Sequence, residues 1–291
     1  MDAEGSPSEV QAMLARDPPF GKLRLRRLCV RGNLEDDDAA TFAPLLTGLA
    51  GHSLLEELVL NGKFLTTFAA VGSLVDVAIA NGITALRLEW CALEPPSMMH
   101  IARLVTLGQL EHLYIDVGDD DYMPLFDMAS FEAFCAALRS NTSIHTLALM
   151  TVGLLDDPVM GETLLTALIG HPSIQSLALE YDVVDADDQI AVGTILARLL
   201  LTANSQCLQL LAFSWCDLGD NGMQPIVDAL RSNTHLLYFI CTKNGLTPLF
   251  ARDVLLPALA ANTSLRVLKI YNEISVPELA QAEAQVASRF S

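Results

Sequence analysis

"LQLLAFSWCDLGDNGMQPIVDAL", residues 208–230, decides the fold. Taken alone, its middle resembles a ligand site. Trp215 and Cys216 lead into Asp217, Asp220 and Asn221, with Gly219 and Gly222 able to bend the chain. Carboxylates on a glycine-bent loop suit calcium, and a cysteine beside them suits a softer metal. The calcium-loop pattern D-x-[DN]-x-[DN]-G, with glutamate at its twelfth position, is absent. The opening residues supply something more general. Leu208, Leu211 and Phe213 fill the frame L-x-x-L-x-L.

That frame recurs along the chain. It is filled by Leu25-Leu28-Val30, Leu55-Leu58-Leu60, Ile83-Leu86-Leu88, Leu110-Leu113-Ile115 and Ile144-Leu147-Leu149. It returns at Ile174-Leu177-Leu179, Leu208-Leu211-Phe213, Leu236-Phe239-Cys241 and Leu265-Leu268-Ile270. Nine matches spaced by 27 to 34 residues, with every anchor apolar, mark an internal repeat. Within each frame apolar and mixed residues alternate, the period of a short half-buried strand. A turn follows, and then a segment with helical spacing, such as Ile226, Val227 and Leu230. Asn141, Asn233 and Asn262 each stand three residues before the next anchor, where a left-handed asparagine would close the helix. His52 and His171 hold the same place and are expected to serve the same helix end.

Asn33, Cys91, Cys216 and Asn244 lie eight residues after their anchors. A buried asparagine or cysteine there can satisfy backbone groups where the chain leaves the strand. With this position, the repeat length and sequences such as "CDLGDNGMQPIVDAL", the chain resembles the ribonuclease-inhibitor subfamily of leucine-rich repeat proteins over roughly residues 23–275. The resemblance implies an α/β leucine-rich repeat horseshoe. This would be a right-handed solenoid of about nine strand–helix repeats, with a parallel sheet on the concave face and helices on the convex face. Lys63, Gly118, Val152, Asp182 and Glu273 depart from the Asn/Cys pattern, so those turns must close differently.

In this frame the opening stretch is one repeat among nine. Trp215 and Cys216 stand where Trp90 and Cys91 stand in another repeat. Acidic residues also recur between strand and helix, at Asp36–Asp38, Asp119–Asp121, Asp156–Asp157 and Asp185, Asp187 and Asp188. Carboxylates just before a helix accept bonds from its free amides and complement its dipole. Capping therefore accounts for them, and no metal is expected.

Composition limits the function. The chain has 291 residues, 52% of them hydrophobic, with a mean hydropathy of +0.38. No apolar stretch reaches the roughly 18–20 residues of a membrane span. The formal charge of −18 repels phosphate backbones and argues against nucleic acid as the main ligand. Residues 1–22 are expected to be disordered and residues 276–291 to form a closing helix, leaving 23–275 as the solenoid. Six cysteines without a CxxC pair suit a reduced, cytoplasmic protein. The basic cluster "KLRLRRLCVRG" (22–32) has two explanations: a solubilising end of the array, or a contact for an acidic partner or lipid headgroups.

Catalytic signals are missing. No G-x-S-x-G, Walker A, H-E-x-x-H or G-x-G-x-x-G occurs, and no cofactor site is expected. The strand face is more informative. If the anchors point inward, the residues between them face the open side. Down that side run Ala148, Ala178 and Ala212, a smooth floor, bordered by Tyr114, Met150, Glu180, Leu210, Tyr238, Ile240 and Tyr271. Trp90, Tyr181 and Trp215 stand at strand ends. Aromatic residues with exposed edges are common interface anchors, although solvent-side strand residues are also often simply apolar. The expected function is thus a non-enzymatic protein–protein interaction scaffold, a monomer binding a basic partner protein on its concave face. The family resemblance adds the option of a stand-alone effector delivered into a host cell, since few residues flank the repeats. The alternative is a regulator of catalysis on the same fold, as in the Ran GTPase-activating proteins.

Overall fold

The computed structural model describes residues 2–16, 25–32, 39–49, 54–62, 65, 67–91, 93–118, 127–151, 153–155, 157–181, 183–201, 205–272 and 274–289. The chain divides into two compact units, 1–148 and 149–291. The first contains β1 (Asp2–Gly5), α1 (Pro7–Arg16), β2 (Arg27–Arg31), α2 (Ala39–Leu49), β3 (Glu57–Asn61) and α3 (Phe68–Asn81). It continues with β4 (Ala85–Glu89), α4 (Met98–Thr106), β5 (His112–Asp116) and α5 (Met128–Ser140). Strand β6 (Thr146–Met150) contains the boundary. The second unit holds α6 (Pro158–Leu168), β7 (Ser176–Glu180), α7 (Gln189–Leu201), β8 (Leu210–Ala212), α8 (Gly219–Leu230) and β9 (Tyr238–Ile240). It ends with α9 (Pro248–Phe250), a π turn (Ala251–Leu255), α10 (Leu256–Ala261), β10 (Val267–Lys269) and α11 (Pro277–Ala287).

Strand order is chain order, and pairing is parallel: β1-β2-β3-β4-β5 in the first unit and β7-β8-β9-β10 in the second. This is the expected α/β leucine-rich repeat class, a parallel sheet alternating with helices. The register brings anchors side by side. Leu28, Leu58, Leu86 and Leu113 face one another across β2 to β5, as do Leu177, Leu211, Phe239 and Leu268 across β7 to β10. None of these is more than 4% exposed. Because side chains alternate along a strand, this register sends one row into the core and leaves the next toward solvent.

The helix starts follow from local chemistry. Asp127 accepts from the Ser130 amide at the head of α5 (3.0 Å), and Asp157 from Val159 and Met160 at the head of α6 (2.9 and 3.2 Å). Pro158, whose missing amide proton would have had no partner, follows the second cap. Asp220 works across repeats, accepting from the amide (2.9 Å) and hydroxyl (2.6 Å) of Thr247, which itself caps α9. The residues 36–38 and 119–121, together with Asn33, His52, Lys63, Val152, Asp156, Asp182 and Glu273, lie outside the described residues.

Helix ends close differently from the left-handed caps expected of the asparagines. Asn141 and Asn262 have φ of −77° and −73°, in extended backbone. Their side chains bridge instead. Asn141 donates to the Val105 carbonyl one repeat back (2.7 Å), and its oxygen accepts from the Ser143 and Ile144 amides (2.8 Å each). Asn233 joins Leu200 to His235 and Leu236, and Asn262 joins Leu230 and Asn233 to Leu265, in the same manner. His171 substitutes for asparagine, its Nδ1 accepting from the Ser173 and Ile174 amides (3.3 Å each). A left-handed cap would satisfy only its own helix, whereas the bridging amide also satisfies a carbonyl of the preceding one.

Two other sequence expectations change. Residues 2–16, expected to be disordered, form β1 and α1, because Val10 and Leu14 are buried and Leu14 packs against Gly48 of α2. Strand β1 pairs with β2, so the basic first repeat is not the outermost strand. Its described arginines are paired with carboxylates, Arg31 with Glu4 (3.0 Å), Arg26 with Glu56 (2.5 Å) and Arg27 with Glu57 (3.0 Å), while Lys22 and Arg24 lie outside the described residues. Gly222 does not bend the chain but lies inside α8, where its backbone meets Gly193 of α7 with no room for a Cβ between them.

Candidate functional site

The strand ends carry a feature that composition conceals. Seven residues after their anchors, Trp90, Thr151, Tyr181, Trp215 and Lys243 all have left-handed backbone, with φ between 55° and 63°. A left-handed backbone costs an L-residue about 1–2 kcal/mol, and bulky or β-branched residues seldom adopt it. Neighbouring strands hold it in place. The amides of Thr151, Tyr181, Trp215 and Lys243 donate to the carbonyls of Glu180, Ser214, Thr242 and Tyr271, at 3.0, 2.9, 3.0 and 2.6 Å. The following residue then turns inward. The Cys91 thiol reaches the Glu89 carbonyl (3.5 Å) and the Cys216 thiol that of Leu179 (3.4 Å), while Asn244 donates to Phe213 (2.8 Å) and Thr242 (3.3 Å). The expected role of the Asn/Cys position holds at these three residues. Burial raises the pKa of the Cys91 and Cys241 thiols far above the ordinary thiol range and that of Cys135 to about 12, which favours their protonated form.

In the second unit the left-handed residues form a ladder. The rings of Tyr181 and Trp215 stack at 5.7 Å and 19°, and the Lys243 ammonium lies 3.3 Å from the centre of the Trp215 ring. Trp215, Lys243 and Asp217 line an open cavity of 670 Å3 with Val183, Leu246, Ile274 and Val276. Asn272 fixes its floor by donating to the Leu246 carbonyl (2.6 Å). Lys243 and the cavity went unnoticed in the sequence. The signal was present, since Lys243 stands as far from Leu236 as Trp215 stands from Leu208.

The open sheet face of the second unit brings together several of the sequence-predicted residues. Leu210 is paired with Tyr238, and Ala178, Ala212 and Ile240 lie in one cross-strand row. Tyr238 is 39% and Tyr271 52% exposed, with Leu210, Ile240 and Met150 half-buried. Glu180 sits at the end of β7, where burial pushes its carboxyl above the usual carboxylate range against the opposing hydrogen bond from Ser214. Ala148 belongs to the first unit.

Trp90 and Tyr114, also in the first unit, have different surroundings. Tyr114 is covered by the Arg87 guanidinium, 4.3 Å from its ring, and Arg87 is bridged to Glu89 (2.7 Å). Glu89 also accepts from Asn61 (2.9 Å). Trp90 lies against Gly118, where a Cβ would strike the indole. The described part of the first unit's face thus carries a paired charged network, whereas the second unit's face is largely apolar, with Glu180 at one strand end and the exposed Lys269 next to Ile240 on β10. Among the described residues no group of three or more His, Cys, Asp and Glu side chains is placed to hold a metal ion. No described helix is long and apolar enough to cross a membrane.

No protein-family model matches the chain, and no curated protein matches it. Among solved structures it is similar to one described as the complex of Rad7 and Elc1 in yeast. The identity is 18% and the TM-score 0.58, with 97% of this chain and 70% of that chain covered. It also matches the actin-binding site 2 of leiomodin-1 at 12% identity and a TM-score of 0.44, over 56% of this chain and 92% of that one. At such identities the first likeness speaks for the fold alone, and the second is too loose to add to it. The chain thus carries an α/β repeat fold of the leucine-rich repeat class that extends over nearly its whole length.

Proposed function

We propose that the chain is a non-enzymatic interaction scaffold that binds a partner protein through the open sheet face of its second unit. The observation that supports this most is the pairing of Leu210 with Tyr238, beside the flat row Ala178, Ala212 and Ile240, with the exposed Tyr271 nearby. Aromatic rings around a level apolar floor give contact area at low entropic cost. The partner presents a basic surface, because the second unit has 15 acidic and 7 basic residues. Six cysteines without a CxxC pair support action in a reducing compartment, the cytoplasm, with the chain working as a monomer. The ribonuclease-inhibitor-like spacing is consistent with this reading, and so is the similar yeast structure, a complex of Rad7 with Elc1.

The test begins with capture of interacting proteins on the immobilised chain and identification by mass spectrometry. Calorimetry then measures the captured protein against variants. Tyr238→Ala should weaken binding by about 1–3 kcal/mol, a hot-spot loss. Arg139→Ala, on helix α5, and Arg231→Ala, at the C-terminal cap of α8, should change it by less than about 0.5 kcal/mol. If the helix variants abolish binding and Tyr238→Ala does not, the sheet face is not the site.

A further inference from the structure

The 670 Å3 cavity beside Trp215 lies within the range of about 300–1,000 Å3 typical of ligand sites, and exposed apolar side chains stand at or beside its rim. Ile274 is 82% exposed, Val183 50% and Tyr181 46%. All stand at the strand ends, beyond the sheet face itself. Trp215 is fixed before any ligand arrives. Its amide is bonded to Thr242, one ring face stacks on Tyr181, and Lys243 covers the ring. A wall already ordered loses little freedom on binding. The lining itself carries one carboxylate, Asp217, and one ammonium, Lys243, and the chain that follows Val183 adds further acids. Asp185, Asp187 and Asp217 are exposed, Asp188 is half-buried, and the lysine lining the cavity is engaged with the indole.

We infer that this cavity anchors one large apolar side chain, aromatic or branched aliphatic, from a partner segment with basic residues on both sides of it. The apolar walls Trp215, Leu246, Ile274 and Val276 receive the side chain, and the acidic turns attract the flanking arginines or lysines. The inference rests on the protein-binding reading above and adds a second contact region, at the strand ends, to the sheet face.

The probe is an acetylated, amidated pentapeptide with a central phenylalanine between two arginines on each side. Trp90→Phe leaves Trp215 as the single tryptophan of the full chain, so its emission reports on the cavity. The basic phenylalanine peptide should give a saturable change below about 1 mM. Companions with a central alanine, or with glutamates for arginines, should bind at least about tenfold more weakly. Ile274→Asp, at an exposed position that leaves the melting temperature unchanged, should weaken the first peptide by about tenfold or more. Arg231→Ala should not alter it.

Each other outcome overturns the inference. No saturable change with any peptide, or equal binding of all, removes the anchor. N-acetylphenylalanine amide binding as tightly as the peptide would make this a small-molecule site. Self-association abolished by Ile274→Asp would make a second copy the occupant. Loss of peptide binding in Tyr238→Ala with Ile274→Asp silent would move the contact to the sheet face. The protein-binding reading then stands without the anchor. Its own failure shows in the captured partner's indifference to Tyr238→Ala.

Discussion

At the residue scale, the side chains that matter most to stability are polar ones inside the core. Asn233 is buried and makes three hydrogen bonds, one to the Leu200 carbonyl and two to the amides of His235 and Leu236. Asn233→Ala leaves those backbone groups without partners, and each buried unsatisfied group costs about 1–3 kcal/mol. Urea denaturation should show a loss of at least that size, and a loss below about 0.5 kcal/mol would refute the bridging role. Glu180 gives a pH-dependent counterpart. Its folded carboxyl titrates above the ordinary glutamate value of about 4.3, so the folded state holds the proton to higher pH than the unfolded chain. Stability therefore falls as pH rises through that window. Glu180→Gln removes the effect while keeping the shape. In thermal melts the variant should exceed the native chain at pH 7, and the gap should close near pH 4. An equal gap at both values would mean that burial of the charge is not its cause.

At the scale of elements, helices α7 and α8 approach closely where Gly193 faces the backbone of Gly222. A methyl group at Gly193 has no flexible neighbour to displace, since the obstructing atoms are main chain. Gly193→Ala would ordinarily favour a helix. Here it should instead destabilise by about 1–3 kcal/mol or more, the range for overpacking. Equilibrium unfolding provides the check, and a stabilised variant would show that the helices part easily. The left-handed strand ends are the other feature at this scale. Thr151, Tyr181, Trp215 and Lys243 are held because each amide completes a ladder that the next strand has already set. Backbone strain of this kind tends to collect at functional sites, and in the second unit it borders the cavity.

For the molecule as a whole, charge governs encounter more than fold. The net charge of −18 produces a field that draws in basic partners and repels acidic ones. Association with the captured partner should slow as salt rises from about 0.05 to 0.5 M, while dissociation changes little. Stopped-flow mixing at several ionic strengths would measure this, and a salt-independent association rate would eliminate the basic-surface expectation.

The sequence by itself determined the repeat, the strand positions and the core. Apolar anchors at a nearly constant spacing leave few other ways of burying so many leucines, and the register of Leu177, Leu211, Phe239 and Leu268 follows that spacing. It also marked the buried roles of Cys91, Cys216, Asn244 and His171. The order of residues 2–16 was not legible. Two buried residues, Val10 and Leu14, make too weak a pattern until α2 is present to receive them. Nor could the sequence tell a left-handed asparagine cap from a bridging one, since the difference lies in a carbonyl about 33 residues away. Tertiary structure alone separated the two faces. Arg87, Glu89 and Asn61 become a closed network only when the two strands β3 and β4 are adjacent. The cavity, likewise, exists only where four loops that are distant in the chain meet around Trp215.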